Sequence, residues 1–370
     1  MKVSASKEEI LRGIQTVQNI VSSKINLPIL SNILIETVGN KLKLVSTDLD
    51  VGISCLIPVS VAEQGAITIS SKKFADIIRE LPSGQVNIDV KKNNVVEIDC
   101  LNCRFKLMGI AKDEFPSLPE FKDKEAIYID QAQLKEMLDL TAFAVSHEES
   151  RYILNGLLLD LKNNVLTIVA TDGRRLAFVK NTLTKQTKKE MRIIVPIKAV
   201  QELQRNLKDE GGISVVVGEN QVMFGLDGVL IVSRIIEGDF PSYDQVIPAA
   251  SEKKMLVDRE EFLASIRRAN LLSTPDSQAI KFELFPSRGT AAKNGKLVIS
   301  KITPDVGESR EELSVQYQGK ELIIGFNPHY LIDALKNLKQ DEIPFEFTEA
   351  DKPGVIRLEN YVYLVLPMRI

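Results

Sequence analysis

The 370-residue chain has no tryptophan, only two histidines and only three cysteines, and each scarcity excludes a class of function. The histidines, His147 and His329, lie far apart, and no GxSxG, Walker or HExxH string accompanies them. Hydrolase, nucleotide-hydrolysing and metalloprotease chemistry therefore lack their usual parts. Three cysteines cannot make a disulfide framework and suit a reducing compartment. Cys100 and Cys103 do form a CxxC, but no second ligand pair completes a tetrahedral site, and the surrounding VVEIDCLNCRFKL alternates as two paired strands do. No metal and no cofactor is expected. Apolar runs long enough to cross a bilayer are missing too. The opening MKVSASKEEILRGI turns polar within a few residues, unlike a secretory leader, so the expected location is cytoplasmic, with no membrane partner. A basic excess is also lacking: 47 Lys and Arg stand against 50 Asp and Glu, a net charge of −3. Proteins that coat nucleic acid are usually basic, so any such contact here must come from a local basic surface.

What the chain does have is repetition. Ser6-Lys7-Glu8-Glu9 precedes Ile10, Ile14, Val17 and Val21; Asp130-Gln131-Ala132-Gln133 precedes Leu134, Met137, Leu138 and Thr141; Asp258-Arg259-Glu260-Glu261 precedes Phe262, Leu263, Ile266 and Ala269. Each string is a capping box, a short oxygen-bearing side chain followed three residues later by Glu or Gln, heading an apolar series at helical spacing. Recurrence at about 125 residues indicates a threefold repeat. A second helix recurs at a similar interval: Ser71 to Leu81, Lys198 to Leu207, and a third opening at Asn327-Pro328, where asparagine caps and proline takes the first helical position.

The intervening runs LKLVSTD, GLLLDL, VLTIVATD, ISVVV, KFELF and ELIIGF read as strands bounded by turn residues. Leu44-Val45-Ser46-Thr47-Asp48 parallels Ile168-Val169-Ala170-Thr171-Asp172, and Glu114-Phe115-Pro116-Ser117 parallels Asp239-Phe240-Pro241-Ser242. Asp48 and Asp172 could mimic a carboxylate pair across a pseudosymmetric cleft, but a turn-forming aspartate at a strand end explains both. The Phe-Pro-Ser elements mark linkers, which places boundaries at about 1–122, 123–250 and 251–370. The expected fold class is α+β: three domains of one topology, each with two helices packed on antiparallel sheet.

At Leu27-Pro28-Ile29-Leu30, Arg151-Tyr152-Ile153-Leu154-Asn155-Gly156, Thr171-Asp172-Gly173-Arg174-Arg175-Leu176-Ala177, Phe240-Pro241-Ser242-Tyr243 and Leu366-Pro367-Met368-Arg369-Ile370, the chain resembles the bacterial sliding-clamp family, the beta subunits of DNA polymerase III. The strings stand in the family's order and span all three repeats. The third repeat departs most, with an extended loop over Phe285 to Gly295 and Thr303-Pro304-Asp305 in place of Thr-Asp-Gly. The resemblance implies a non-catalytic processivity factor: a head-to-tail homodimer closed into a ring, helices lining a hole that encircles duplex DNA. The alternative kept beside it is a repeated-domain interaction scaffold that does not encircle DNA.

Three sets of residues follow from the resemblance. Sliding requires phosphate contacts without base readout, and the candidates for it are Lys24, Lys72, Lys73, Arg79, His147, Arg151, Tyr152, Lys198, Arg205, Lys208, Arg267, Arg268, Lys336 and Lys339. A peptide pocket for the polymerase III catalytic subunit, clamp-loader subunits and other carriers of clamp-binding motifs is implied at Leu154, Thr171, Gly173, Arg174, Arg175, Leu176, Pro241, Val246, Leu364, Val365, Leu366, Pro367, Met368 and Arg369. Aliphatic and methionine side chains suit a short apolar motif there, and Arg174 stands where the family often has histidine. Subunit closure is implied at Phe105, Leu271 and Leu272.

Overall fold

The computed structural model describes residues 1–21, 27–119, 126–251, 253–287 and 295–370. Lys24, the linker around 120–125 and most of the loop before Gly295 therefore lie outside the described residues. Six α-helices stand among the described residues: α1 (Lys7–Val17), α2 (Ser71–Glu80), α3 (Gln131–Asp139), α4 (Ile197–Asn206), α5 (Arg259–Asn270) and α6 (Pro328–Asn337). The cap side chain of each of the three boxes is in place at its helix N-terminus. Ser6 Oγ accepts from the Glu9 amide at 3.2 Å, Asp130 Oδ1 from Gln133 at 3.1 Å, and Asp258 Oδ1 from Glu261 at 2.8 Å. Asn327 caps α6 by accepting from the His329 amide at 3.0 Å, with Pro328 in the first turn. Such caps satisfy amides that have no partner within the helix.

One boundary differs from the spacing. The helix that was expected to carry Val21 ends at Val17 and tightens into a 3₁₀ turn over Gln18–Ile20, leaving Val21 extended. The buried Ser46 hydroxyl donates to the Val17 carbonyl and supplies that helix end with a partner from a neighbouring strand.

Contacts divide the chain into two compact units. The first is built from Met1–Lys135 with Lys198–Ile235. It holds a five-stranded sheet in the order Ser60–Glu63, Lys2–Ser6, Gln85–Val90, Val95–Cys100, Cys103–Met108. Its eight-stranded sheet joins Val229–Arg234 of the middle third directly to Val51–Pro58 of the first, Ile231 opposite Ile53. The second unit, Glu136–Ile197 with Ile236–Ile370, holds a twelve-stranded sheet. There Arg175–Thr182 pairs with Tyr361–Val365, Ala177 opposite Tyr363. All six strand runs expected from the sequence are strands. Backbone hydrogen bonding runs on between consecutive thirds, so the middle third is shared by both units.

The Cys100–Cys103 segment is a hairpin turn, the two cysteines facing each other across the strand pair and free of a disulfide. No group of three or more His, Cys, Asp or Glu side chains gathers as for a metal ion among the described residues. No helix is long and apolar enough to cross a membrane.

Burial follows the periodicity. Ile10, Ile14 and Val17 of α1 are buried, as are Phe262, Leu263, Ile266 and Ala269 of α5. In the second unit a chain of rings links Phe262 to Phe282 (5.7 Å between centroids), Phe282 to Phe326 (5.5 Å), Phe326 to Phe345 (5.7 Å) and Phe345 to Phe347 (4.5 Å). Phe345 touches three of its fellows and is fully buried. Phe345→Ala is expected to cost the second unit about 3–5 kcal/mol in denaturant unfolding; a loss under about 1 kcal/mol would show that the rings do not hold that unit together.

Candidate functional site

The repeated Thr-Asp string folds into one turn twice over. In the first repeat, Thr47 Oγ1 donates to the Val51 carbonyl (3.0 Å) and accepts from the Leu49 amide (3.0 Å), while Asp48 Oδ1 accepts from the amides of Asp50 (3.1 Å) and Val51 (2.8 Å). In the second, Thr171 Oγ1 donates to the Arg175 carbonyl (2.6 Å) and accepts from Gly173 (3.1 Å), while Asp172 Oδ1 accepts from Arg174 (2.8 Å) and Arg175 (3.0 Å). The turn needs a left-handed residue at its third position, supplied by Gly173 at φ +85° and, with some strain, by Leu49 at φ +81°. Both aspartates thus act as turn formers, as the sequence suggested. The third repeat, with Thr303-Pro304-Asp305, builds no such network; Thr303 Oγ1 reaches the Leu272 carbonyl instead.

In the second unit this turn positions Arg175. Its guanidinium is almost wholly buried and fully engaged: Nε donates to Asp172 (3.1 Å), Nη1 to Asp333 of α6 (2.7 Å) and Nη2 to the Phe143 carbonyl (2.6 Å). The Tyr330 ring lies 4.6 Å beneath it. Burial works against its charge, but Tyr363, Asp333 and Asp172 more than offset this, and the pKa stands above the ordinary arginine value. Arg175 is thus fastened to the turn, to α6 and to the Phe143 carbonyl within the second unit. Thr171 is likewise spent on the turn.

The residues that do face outward are Gly173, Arg174, Pro241, Val246, Leu366, Met368 and Arg369. Leu176, Phe240 and Leu364 belong to a buried cluster with Leu158, Val169 and Val362, against which Leu154, Tyr243 and Ile247 pack, while Met368 and Arg369 line a separate cavity with Ser277, Lys301 and Ile302. Val365 is buried in the terminal strand. Tyr243 stands in the Phe240-Pro241-Ser242-Tyr243 string, whereas Ile247 has no local signal beyond its place beside Val246. The C-terminal segment is fastened by the Leu366 amide on the Arg174 carbonyl (2.9 Å) and the Met368 amide on the Gly325 carbonyl (2.8 Å). A hydrogen bond to Tyr330 raises the Arg174 pKa, so this exposed side chain is a fixed positive charge at the rim.

The candidate cations divide in two. Several are spent on neighbours: Lys198 with Asp48, Arg205 with Glu202, Arg268 with Glu311, Arg79 with Asp76 (3.0 Å), Lys339 with Glu136 (3.0 Å), and Arg151 with Glu148 (3.1 Å) and the Asp172 carbonyl (2.7 Å). Lys72, Lys73, Lys208, Arg267 and Lys336 are exposed, with no carboxylate in ion-pair reach among the described residues. His147 and Tyr152 are exposed near Arg151. Of the closure candidates, Leu271 is 81% exposed at the end of α5 and Phe105 is 38% exposed on an edge strand; Leu272 is half-buried.

Arg175→Met is expected to destabilise the second unit by about 2–3 kcal/mol, less than for a wholly enclosed pair because Asp333 keeps some water. Thermal unfolding unchanged from the parent would mean that the guanidinium is not a structural tie.

Three family models cover nearly the whole chain: the N-terminal (residues 1–119), central (128–242) and C-terminal (244–369) domains of the DNA polymerase III beta subunit. The chain is 32% identical to the beta sliding clamp of Bacillus subtilis over all of both proteins, and 32% identical to that of Chlamydia pneumoniae over all of this chain and 99% of that one. Its structure resembles the crystal structure of the DNA polymerase sliding clamp from Bacillus subtilis (TM-score 0.93, 32% identity, 100% and 99% covered). It also resembles that of the sliding clamp from Bartonella birtlesii bound to griselimycin (TM-score 0.92, 30% identity, 100% of each covered). A turn built twice, a shared middle third and a full-length match agree: the chain belongs to the DNA polymerase III beta subunit, or beta sliding clamp, family.

Proposed function

We propose that this protein is a DNA sliding clamp, a non-catalytic processivity factor of the cytoplasm that tethers DNA polymerase III to duplex DNA. Three domains, 1–122, 123–250 and 251–370, would make one crescent, and two crescents joined head to tail would close a ring. A head-to-tail interface makes open polymers unless its rotation closes, so two equal crescents are the economical solution. The exposed Leu271 and Phe105 support this reading, since large apolar side chains at a helix end and on a sheet edge call for a partner surface.

The observation that carries the tethering reading is the outward wall of the second unit. Leu366, held through its amide by the Arg174 carbonyl, sets an exposed apolar side chain beside Gly173, Val246 and Met368 are further exposed apolar residues of the same unit, and Arg174 gives one fixed charge for orientation. A short apolar motif from the polymerase catalytic subunit or a clamp-loader subunit fits such a wall. The exposed Lys72, Lys73, Lys208, Arg267 and Lys336 suit phosphate contact without sequence readout, and the protein's slight negative charge fits encirclement better than tight coating.

The protein loaded by its clamp loader is expected to stay on closed circular DNA through gel filtration and to be lost once the circle is cut. Equal retention on circular and linear DNA would overturn encirclement in favour of a scaffold. Leu271→Ala combined with Leu272→Ala is expected to sediment as a monomer; a dimer surviving at micromolar concentration would refute that closure surface.

A further inference from the structure

The repeat builds the same cleft twice, once in each compact unit, with opposite charge. In the second unit a cavity of about 240 Å³ is lined by Glu136 and Leu140 of α3 and its end, Val179, Lys339 just after α6, and the hairpin turn Leu358–Tyr361. In the first, a cavity of about 500 Å³ is lined by Arg12 and Thr16 of α1, Cys55, Leu207 and Lys208 just after α4, and the hairpin turn Leu226–Val229. The correspondence is positional. Arg12 and Thr16 stand six and ten residues beyond the Ser6 cap, as Glu136 and Leu140 stand beyond the Asp130 cap. Cys55 pairs across the sheet with Leu44, and Val179 with the corresponding Ile168.

One substitution separates the two. Glu136 and Lys339 form an ion pair (3.0 Å) in the smaller cleft. Their counterparts are Arg12 and Lys208, two cations, joined at the walls by Lys41 and Arg205. Asp227 is the lining acid there, whereas Glu136 and Glu359 face the single Lys339 in the other cleft. Two local acids temper the excess: Glu9 lies 3.5 Å from Arg12, and Glu202 pairs with Arg205. Burial raises the Glu202 pKa against the pull of Arg205. Nearby, Lys135 and Asp209 neutralise each other at 2.7 Å. Lys41 and Lys208 have no carboxylate in ion-pair reach among the described residues. Burial pushes the Cys55 thiol up to about 12, so that wall stays neutral.

We propose that the Arg12–Lys208 cleft is an anion site that takes a phosphoryl group, either of a free phosphate ester or of a nucleic-acid backbone. Where the sister cleft supplies its own counter-ion, this one leaves like charges facing across a cavity of ligand size. A guanidinium fork and an ammonium are the donors that recognise phosphate oxygens; of the polar lining residues, Thr16 donates to the Arg12 carbonyl and Asn206 to the Glu202 carbonyl, so the two cations are the main donors to a ligand. The nucleic-acid arm rests on the clamp reading, in which Lys208 already stands as a phosphate contact; the free-ester arm does not, because it compares two clefts of one chain.

The test is titration calorimetry of the full chain with sodium pyrophosphate, at ionic strength held constant with chloride. Saturable binding is expected. Arg12→Glu, which rebuilds the Glu136–Lys339 arrangement, should weaken it by about tenfold or more, and Lys208→Gln should weaken it as well. Glu136→Arg should create a second site in the sister cleft. Should Arg12→Glu fail to fold by circular dichroism, Lys208→Gln alone decides. Wild-type heats no larger than the chloride control, or wild-type affinity in both cleft variants, would overturn the proposal. A short DNA duplex that displaces pyrophosphate assigns the site to nucleic-acid backbone; a duplex that leaves it bound assigns it to a free phosphate ester.

Discussion

Each compact unit depends on a tie between a Thr-Asp turn and the second helix of the following repeat. In the first unit Asp48 meets Lys198, the second residue of α4; in the second, Asp172 and Arg175 reach Asp333 of α6. The turn is the same and the tie is not. An ammonium on a flexible stem closes the first, while a guanidinium with five donors organises two carboxylates, a carbonyl and an aromatic ring in the second. Without these contacts the strands that carry the turns would still pair, but the helices would lose the fixed relation to the sheets that makes a wall or a cleft reproducible.

The repeat diverged by changing partners while keeping its backbone. Asp48 and Asp172 make the same amide hydrogen bonds, yet the residue that reads the free carboxylate oxygen differs. Arg12 and Glu136 hold the same helical position with opposite charge. The third repeat abandons the turn, and Thr303 fastens the segment after α5 instead. Local geometry is conserved by hydrogen bonds within a few residues; chemistry is set by which neighbouring repeat faces it.

That difference explains what the sequence made legible. Capping boxes, strand alternation and the Thr-Asp turns all rest on interactions within about four residues, so Ser6, Asp130, Asp258, Thr47 and Thr171 announced their roles. The helix end at Val17 was hidden because Ser46, on another strand, helps to define it. The sharing of the middle third was hidden for the same reason: pairing of Ile231 with Ile53 leaves no mark in either segment. The partners of Arg175, Asp333 and Phe143, lie elsewhere in the chain, so the tie they make with it has no local signature. Ile247 escaped notice because partial burial against a buried cluster has no local signature.

The strand Cys103–Met108 lies at an open border of its sheet and presents Phe105 and Met108 to solvent, with Leu101 at the adjoining turn. Arg104 and Lys106 flank the phenylalanine and are drawn to Asp99 and Glu97. This is how soluble proteins keep an unpaired border from recruiting stray chains: like-charged side chains spaced along it discourage stacking of a second identical border. An apolar border of this kind carries a hazard of stray association, restrained here by two cations either side of one ring.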